Sequence, residues 1–399
     1  MQLLGVTLWD GLEERGVCDL TWNGDSLERV APSDRSESRG LAVIPGLIDT
    51  HVHILFGPAG VKTADPTMWR LTTPRSEQTL HGSAHAIGAL QGGVTTLRDM
   101  AGGRAQFALS RALRDRVVKG PRLLVHGMVG MTAGHNDMFT PPSIRHRSNV
   151  ADGATACRTL VRQHARAGAH GIKIATSGGV LSLSGDALGW RNYTDEEIAA
   201  IVDEAHALDL PVGAHAHTER GVQVALDHGV DSIEHGSMIT EPQAREAASR
   251  GVTIAPTLSL HDMVLNHSSS LTPDQRQKAS EVVSKRTVCL RAAAEAGVEF
   301  VLGTDADGVY TPFDGAMAEM RLMESTLGLT PEQVLISATS RAARAIRMEG
   351  LLGKLTAGYA ADFVVLKGAP WRVISDLRQE NIVAVVSHGE VVVGRLPDD

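Results

Sequence analysis

Ala42-Val43-Ile44-Pro45-Gly46-Leu47-Ile48-Asp49-Thr50-His51-Val52-His53 is an apolar run of strand character that ends in two histidines one residue apart. In a strand, residues i and i+2 point to the same face. His51 and His53 therefore project together from the C-terminal end of one strand, as a chelating pair would. One such pair is commonly a satisfied core or surface feature. The chain gives it weight by supplying similar residues at the ends of further strands.

Outward from this run, strand-length apolar segments recur at 94–97, 122–125, 171–175, 211–216, 232–234, 252–255 and 300–303. With the first they make eight. Helical patterns separate several of them: 195–207, opened by a Thr194 cap and three acidic residues, then 221–227, 241–249 and 290–296. Strands alternating with helices predict an α/β chain folded as a (β/α)8 TIM barrel. A doubly wound open sheet is the rival, but no Gly-rich nucleotide turn follows the first strand. Both ends of the chain have a different texture, with short strands around Leu3, Val6 and Leu8, and again at 361–366 and 383–393, where Gly389 marks a hairpin tip. The expected division is a small β-sandwich domain composed of residues 1–48 and 351–399 around a barrel spanning 49–350.

The chain has 399 residues, 43% of them hydrophobic and 21% charged, enough for a large core. A net charge of -8 argues against nucleic-acid or anionic-membrane partners. No basic-then-apolar leader and no membrane-length apolar run is visible, and Cys18, Cys157 and Cys289 are too few and too scattered for a disulfide framework. A cytoplasmic protein is expected.

Barrel chemistry sits at the C-terminal ends of strands. Those ends carry Lys173 in Gly-Ile-Lys-Ile-Ala, His215 and His217 in Ala-His-Ala-His-Thr, His235 in Ile-Glu-His-Gly-Ser and Asp305 in Leu-Gly-Thr-Asp-Ala. Taken singly, a lysine in a strand or an Asp after Gly-Thr is more often structural, the latter as a helix cap. Together with His51 and His53 they form a set of imidazoles and a carboxylate that suits zinc and its neighbours. Lys173 points to two cations. Flanked by Ile172 and Ile174, its amine is desolvated, which lowers the pKa and enlarges the neutral fraction. A neutral lysine adds carbon dioxide to give a carbamate, an N6-carboxylated lysine whose two oxygens can bridge two metals roughly 3.5–4 Å apart.

This set, with Pro45-Gly46-Leu47-Ile48-Asp49-Thr50-His51-Val52-His53 at its head and 358–366 at its tail, resembles the amidohydrolase superfamily over essentially the whole chain. The stretches 171–174, 214–218 and 232–236 are similar to its imidazolonepropionase-like branch, which includes Xaa-Pro dipeptidases and carboxypeptidase-like amide hydrolases. The resemblance implies that His51, His53 and Asp305 bind a buried metal, that His215 and His235 bind a more exposed one, and that carboxylated Lys173 bridges them. Asp305 would accept the proton of the shared hydroxide and pass it to the leaving amine. Thr132-Ala133-Gly134-His135-Asn136-Asp137 is similar to the branch loop whose His contacts the substrate carbonyl; a solvated loop histidine is the plain alternative. His217 is either a substrate contact, to a carboxylate, or a hydrogen-bond partner behind the ligands. The loop 177–193, with Leu181, Leu183, Trp190 and Tyr193, either covers the pocket mouth, offering Tyr193 to substrate, or packs on the barrel rim. His81, His85, His126, His146, His164, His170, His206, His228, His261, His267 and His388 are expected to be structural or solvated.

The expected function is a binuclear, metal-dependent hydrolase that cleaves an amide bond of a small N-acyl amino acid or dipeptide-like substrate, Xaa-Pro included. Lactone or phosphoester hydrolysis by the same centre is the alternative. Deaminases and imidazolonepropionase itself are disfavoured because Thr218 stands where they carry a glutamate. A non-catalytic assembly or binding protein keeps the fold but loses ligands, and none is lost here. The resemblance leaves a homo-oligomer open.

Overall fold

The computed structural model describes residues 1–35, 38–61, 66–145, 147–182, 186–266 and 271–397. His146, His267 and Leu183 lie outside the described residues. The chain opens with β1 (Gln2–Trp9), β2 (Glu14–Asn23), β3 (Ser26–Pro32) and β4 (Ala42–Pro45), and one glycine later enters β5 (Leu47–Val52). Gly46 is the crossing point. A Cβ there would fall 2.2 Å from Thr95 Oγ1, so only glycine lets the chain pass this close to its neighbour.

β5 begins a parallel sheet continued by β6 (Val94–Gly102), β7 (Arg122–Met128), β8 (Gly171–Ala175), β9 (Val212–Ala216), β10 (Ser232–His235) and β11 (Thr253–Ala255), each beside the next in sequence. Every residue of β5, β8, β9 and β10 is buried. This is the signature of parallel strands covered on both faces, and it explains the runs of Val, Ile and Ala. The helices between them carry explicit start signals. In Asp195–Ala207, Thr194 Oγ1 accepts from Glu197 N at 3.3 Å while Glu197 Oε2 accepts from Thr194 N at 2.8 Å, a reciprocal cap of the order of 1 kcal/mol.

The eighth expected strand, 300–303, closes the barrel without becoming a regular strand. Phe300 bridges Ile254, Ala306 bridges Val52, Thr50 N donates to Leu302 O, and Asp305 N donates to His51 O. The ladder is short because the segment leaves extended geometry at Asp305, whose φ is 55°. The architecture is nonetheless the predicted TIM-like barrel with a terminal β domain.

β12 (Phe363–Leu366), β13 (Ile382–Ser387) and β14 (Glu390–Gly394) return to the first sheet, giving the order β14-β13-β12-β4-β1-β2-β3. His388 and Gly389, both with positive φ, make the tight turn between β13 and β14. A bridge between Ser26 and Ala360 folds the β3 edge back toward the C-terminal strands. The domain has its own apolar cluster, in which Trp22 meets Phe363 edge to face at 5.1 Å. A partly buried ion pair between Arg122 of β7 and Asp362 clamps the two sheets together. Cys18, Cys157 and Cys289 are free thiols. Among the described residues no helix is long and apolar enough to cross a membrane.

Candidate active site

A cavity of about 1340 Å³ opens where the barrel strands end, and its wall includes His51, His53, Lys173, His215, His235 and Asp305. All six sequence-derived ligands are thus brought together. His51 Nε2 lies 3.3 Å from His53 Nε2, and the two stand 3.4 and 3.0 Å from the same Asp305 oxygen. His215, His217 and His235 form a second group whose donor atoms lie within 4.8 Å of one another. Two ring nitrogens and a carboxylate oxygen converging on one point match the donor set and spacing of a divalent cation site.

The ring orientations support the same use. His51 Nδ1 meets Glu234 Oε2 at 2.7 Å, which leaves Nε2 facing Asp305. His235 Nδ1 pairs with Thr257 Oγ1 at 2.6 Å, and His217 Nδ1 with Ser237 Oγ at 2.9 Å. His215 uses Nε2 toward the Gly178 carbonyl at 3.2 Å, so Nδ1 is its remaining nitrogen. A hydrogen bond behind His51, His215, His217 and His235 fixes each ring and chooses its donor atom, whereas His53 Nδ1 has no hydrogen-bond partner among the described residues.

Backbone strain gathers here too. His235, Asp305, Thr257 and Ala133 all have positive φ, and for a β-branched Thr257 at 48° that is a true outlier. Each such residue costs about 1–3 kcal/mol, and such strain concentrates at functional sites.

Burial lowers the Lys173 amine to about 8, against the opposing pull of Glu234 and Asp305. The same burial, with Lys173 nearby, lowers His51 to about 4, and His215, His217 and His235 are pushed well below the usual imidazole range. Neutral imidazoles are the ligand form. Burial by itself raises the Asp305 carboxyl, but His51, His53 and Lys173 outweigh it and hold the group below the ordinary carboxylate range.

The model of the amidohydrolase family matches residues 42–392. The chain belongs to the amidohydrolase family. An ochratoxinase of Aspergillus niger is 30% identical over 380 residues, covering 90% of this chain and 76% of the relative. A prolidase crystallised with N-methylphosphonate-L-proline superposes with a TM-score of 0.87 at 30% identity, covering 99% of each chain. A Xaa-Pro dipeptidase with methionine bound in its active site gives a TM-score of 0.87 at 28% identity, covering 98% of each chain. The resemblance read from the sequence is borne out. This amidohydrolase is an enzyme that hydrolyses amide bonds, a family activity that uses divalent metals.

Other residues of the amidohydrolase cavity fall less evenly. His135 is brought in, its ring stacked on His215 at 4.3 Å and meeting Phe139 edge to face at 5.1 Å. His217 lies on the wall as well. Tyr193 is not brought there. It is buried away from the cavity and gives its hydroxyl to the Val129 carbonyl, so the sequence-based expectation of a substrate contact does not match its position. Val180 and Leu188 of the loop around it join Leu260, Val264 and Tyr310 in an apolar cluster, and Val180 and Leu181 also line the cavity.

Sequence reasoning also passed over three residues. His261, expected to be structural, lines the cavity with its ring 5.2 Å from His217 and 5.9 Å from His235. It hangs from the helix Leu258–Asn266, off any strand end, so the strand-end rule had no purchase on it. Glu234 and Arg98 are the others. Glu234 is wholly buried, accepts from Arg98 Nη2 at 3.0 Å and Ser232 Oγ at 2.7 Å, and backs His51. Burial raises its carboxyl, yet Arg98 and His51 overcome this and keep it ionised below the usual range. Glu234→Ala strands a buried guanidinium, and the urea midpoint should fall by the equivalent of about 3–5 kcal/mol. An unchanged midpoint would show that the network is not holding the barrel floor under His51.

Proposed function

We propose that the enzyme is a binuclear hydrolase that cleaves the amide bond of a small N-acyl amino acid or dipeptide-like substrate, Xaa-Pro dipeptides among them. The observation that carries this reading is the convergence of six donors, a buried lysine included, on one cavity large enough for such a molecule. The relatives add support on the substrate side, since one is a Xaa-Pro dipeptidase and another a prolidase with a phosphonate–proline conjugate.

His51, His53 and Asp305 would hold one divalent ion, His215 and His235 a second, and carboxylated Lys173 would belong to both; zinc fits the donor set. Bound there, such ions polarise a carbonyl and lower the pKa of water. The chain's own residues do the remaining work. His135 faces the carbonyl oxygen as developing charge collects there. Asp305, ionised and beside both histidines, takes a proton from the attacking water and delivers it to the leaving amine nitrogen, so that expulsion yields a neutral amine. His217, its Nδ1 engaged by Ser237, turns Nε2 toward the leaving-group side and a substrate carboxylate. In this reading 1–48 and 351–399 are the supporting domain, 49–350 the catalytic barrel, and the setting is cytoplasmic.

A panel of N-acyl amino acids and dipeptides, Xaa-Pro included, should release a free amino acid. Chelation should abolish that release, and zinc should restore it. Chelation should also lower the unfolding temperature, because ions held only by the native state stabilise it by mass action. Turnover of lactones or phosphoesters with no amide cleavage would replace the reading by its alternative.

A further inference from the structure

His135 is held in an unusually complete setting for a loop residue. Its amide donates to Asn192 Oδ1 at 2.9 Å, and Asn192 Nδ2 donates in turn to the Ser177 carbonyl at 2.6 Å. Its ring nitrogen Nδ1 lies 3.1 Å from Asp186 Oδ2 and 3.2 Å from Ser182 Oγ. Asp186 has no exposed side-chain surface, and the same Oδ2 also accepts from Ser182 Oγ at 2.5 Å and Gly179 N at 3.0 Å. The backbone has been cut to fit the ring. A Cβ on Gly179 would sit 1.8 Å from His135 Cε1, although Gly179 is not at positive φ and needs no glycine for its own conformation. The Asp186 carbonyl is pinned in turn by Lys278 Nζ at 3.1 Å, tying the loop to the helix Pro273–Glu295.

We propose that Asp186 is the positioning residue of His135: it accepts from Nδ1–H, fixes the ring plane over His215, and so presents Nε2 to the scissile carbonyl. The proposal rests on the amide-hydrolase reading for what Nε2 meets, but the ring orientation itself does not depend on it. An unfixed imidazole samples two ring flips and two tautomers, and only part of that population offers a correctly aimed nitrogen. A buried carboxylate at Nδ1 removes the unproductive states, as partners behind metal-bound imidazoles do. A purely structural alternative has Asp186 stapling the loop through Gly179 and Ser182, with His135 a bystander.

The two are separated by imidazole nitrogen NMR and a double-mutant cycle on the full-length, metal-loaded protein. The His135 signals are assigned by their loss in His135→Ala. In the wild type Nδ1 should carry the proton, and Asp186→Ala should abolish that preference while Asp186→Asn, which keeps an acceptor, retains it. On an amide substrate, Asp186→Ala should lower kcat about 10–100-fold with KM little changed. Asp186→Asn should recover most of the loss, and Asp186→Ala added to His135→Ala should cost nothing further. Gly179→Ala, which evicts the ring without touching the carboxylate, should match His135→Ala. Losses that multiply in the double variant, or an unchanged His135 tautomer in Asp186→Ala, overturn the proposal. If the wild type cleaves no amide, the functional reading falls, and the nitrogen shifts still decide whether Asp186 positions His135.

Discussion

Lys173→Ala is expected to lose at least about 10³-fold in amide hydrolysis, the scale of several kcal/mol of transition-state stabilisation, together with at least one metal equivalent per chain. The reason lies in where β8 puts the amine. Lys173 is 3% exposed and acts electrostatically on His51 and Asp305 of one donor group and on His215 and His217 of the other. Among the described residues no other lysine lines the cavity. An unmodified ammonium in that place would oppose cation binding on both sides, whereas a carboxylated one would join the two groups. Burial brings the amine to about 8, where a sizeable neutral fraction exists near neutral pH. Alanine fits the space without new polar burial, so the fold should survive. Elemental analysis and initial rates on the purified variant check the result, and full metal content with an unchanged rate would remove Lys173 from the centre.

Asp305→Asn should keep the fold and lose turnover by about 10²–10⁴-fold, the range for a positioned proton-transfer group. The substitution is close to isosteric. Asn also accepts the left-handed backbone found at this position, where φ is 55°, so no new strain enters. What disappears is the charge that His51 and His53 stabilise at 3.4 and 3.0 Å. The far-ultraviolet circular dichroism spectrum should overlay with the wild type while kcat drops. A rate within a few-fold of wild type would show that the proton travels by another group.

The parts of the site that could be read from sequence are those governed by a strand's two-residue period. His51 and His53, His215 and His217, and Lys173 between two isoleucines are local patterns, and barrel geometry brings their strand ends to one cavity. The hairpin at His388 and Gly389 was equally local. What stayed hidden depends on pairings across the fold. Arg98 and Glu234 are 136 positions apart and meet only because β6 and β10 both face the barrel interior. Glu234 looked like the plain end of a strand, yet it orients the first histidine of the centre. Asp186 and His261 come from a loop and a helix, where no periodicity announces a direction. Tyr193 shows the opposite error, since an aromatic in a pocket-side loop invited a substrate role that its bond to Val129 leaves no room for. The last barrel strand is irregular where its apolar run predicts a full strand, because Gly303 and the left-handed Asp305 shape that segment for the site at the expense of regular pairing.

The most direct test of the account is the metal content of the purified wild-type chain, measured by elemental analysis against protein concentration. Close to two divalent transition-metal equivalents per chain is the predicted result, from two donor groups joined by carboxylated Lys173. A reproducible value of one or none, in protein never exposed to chelator and supplied with zinc, would contradict it.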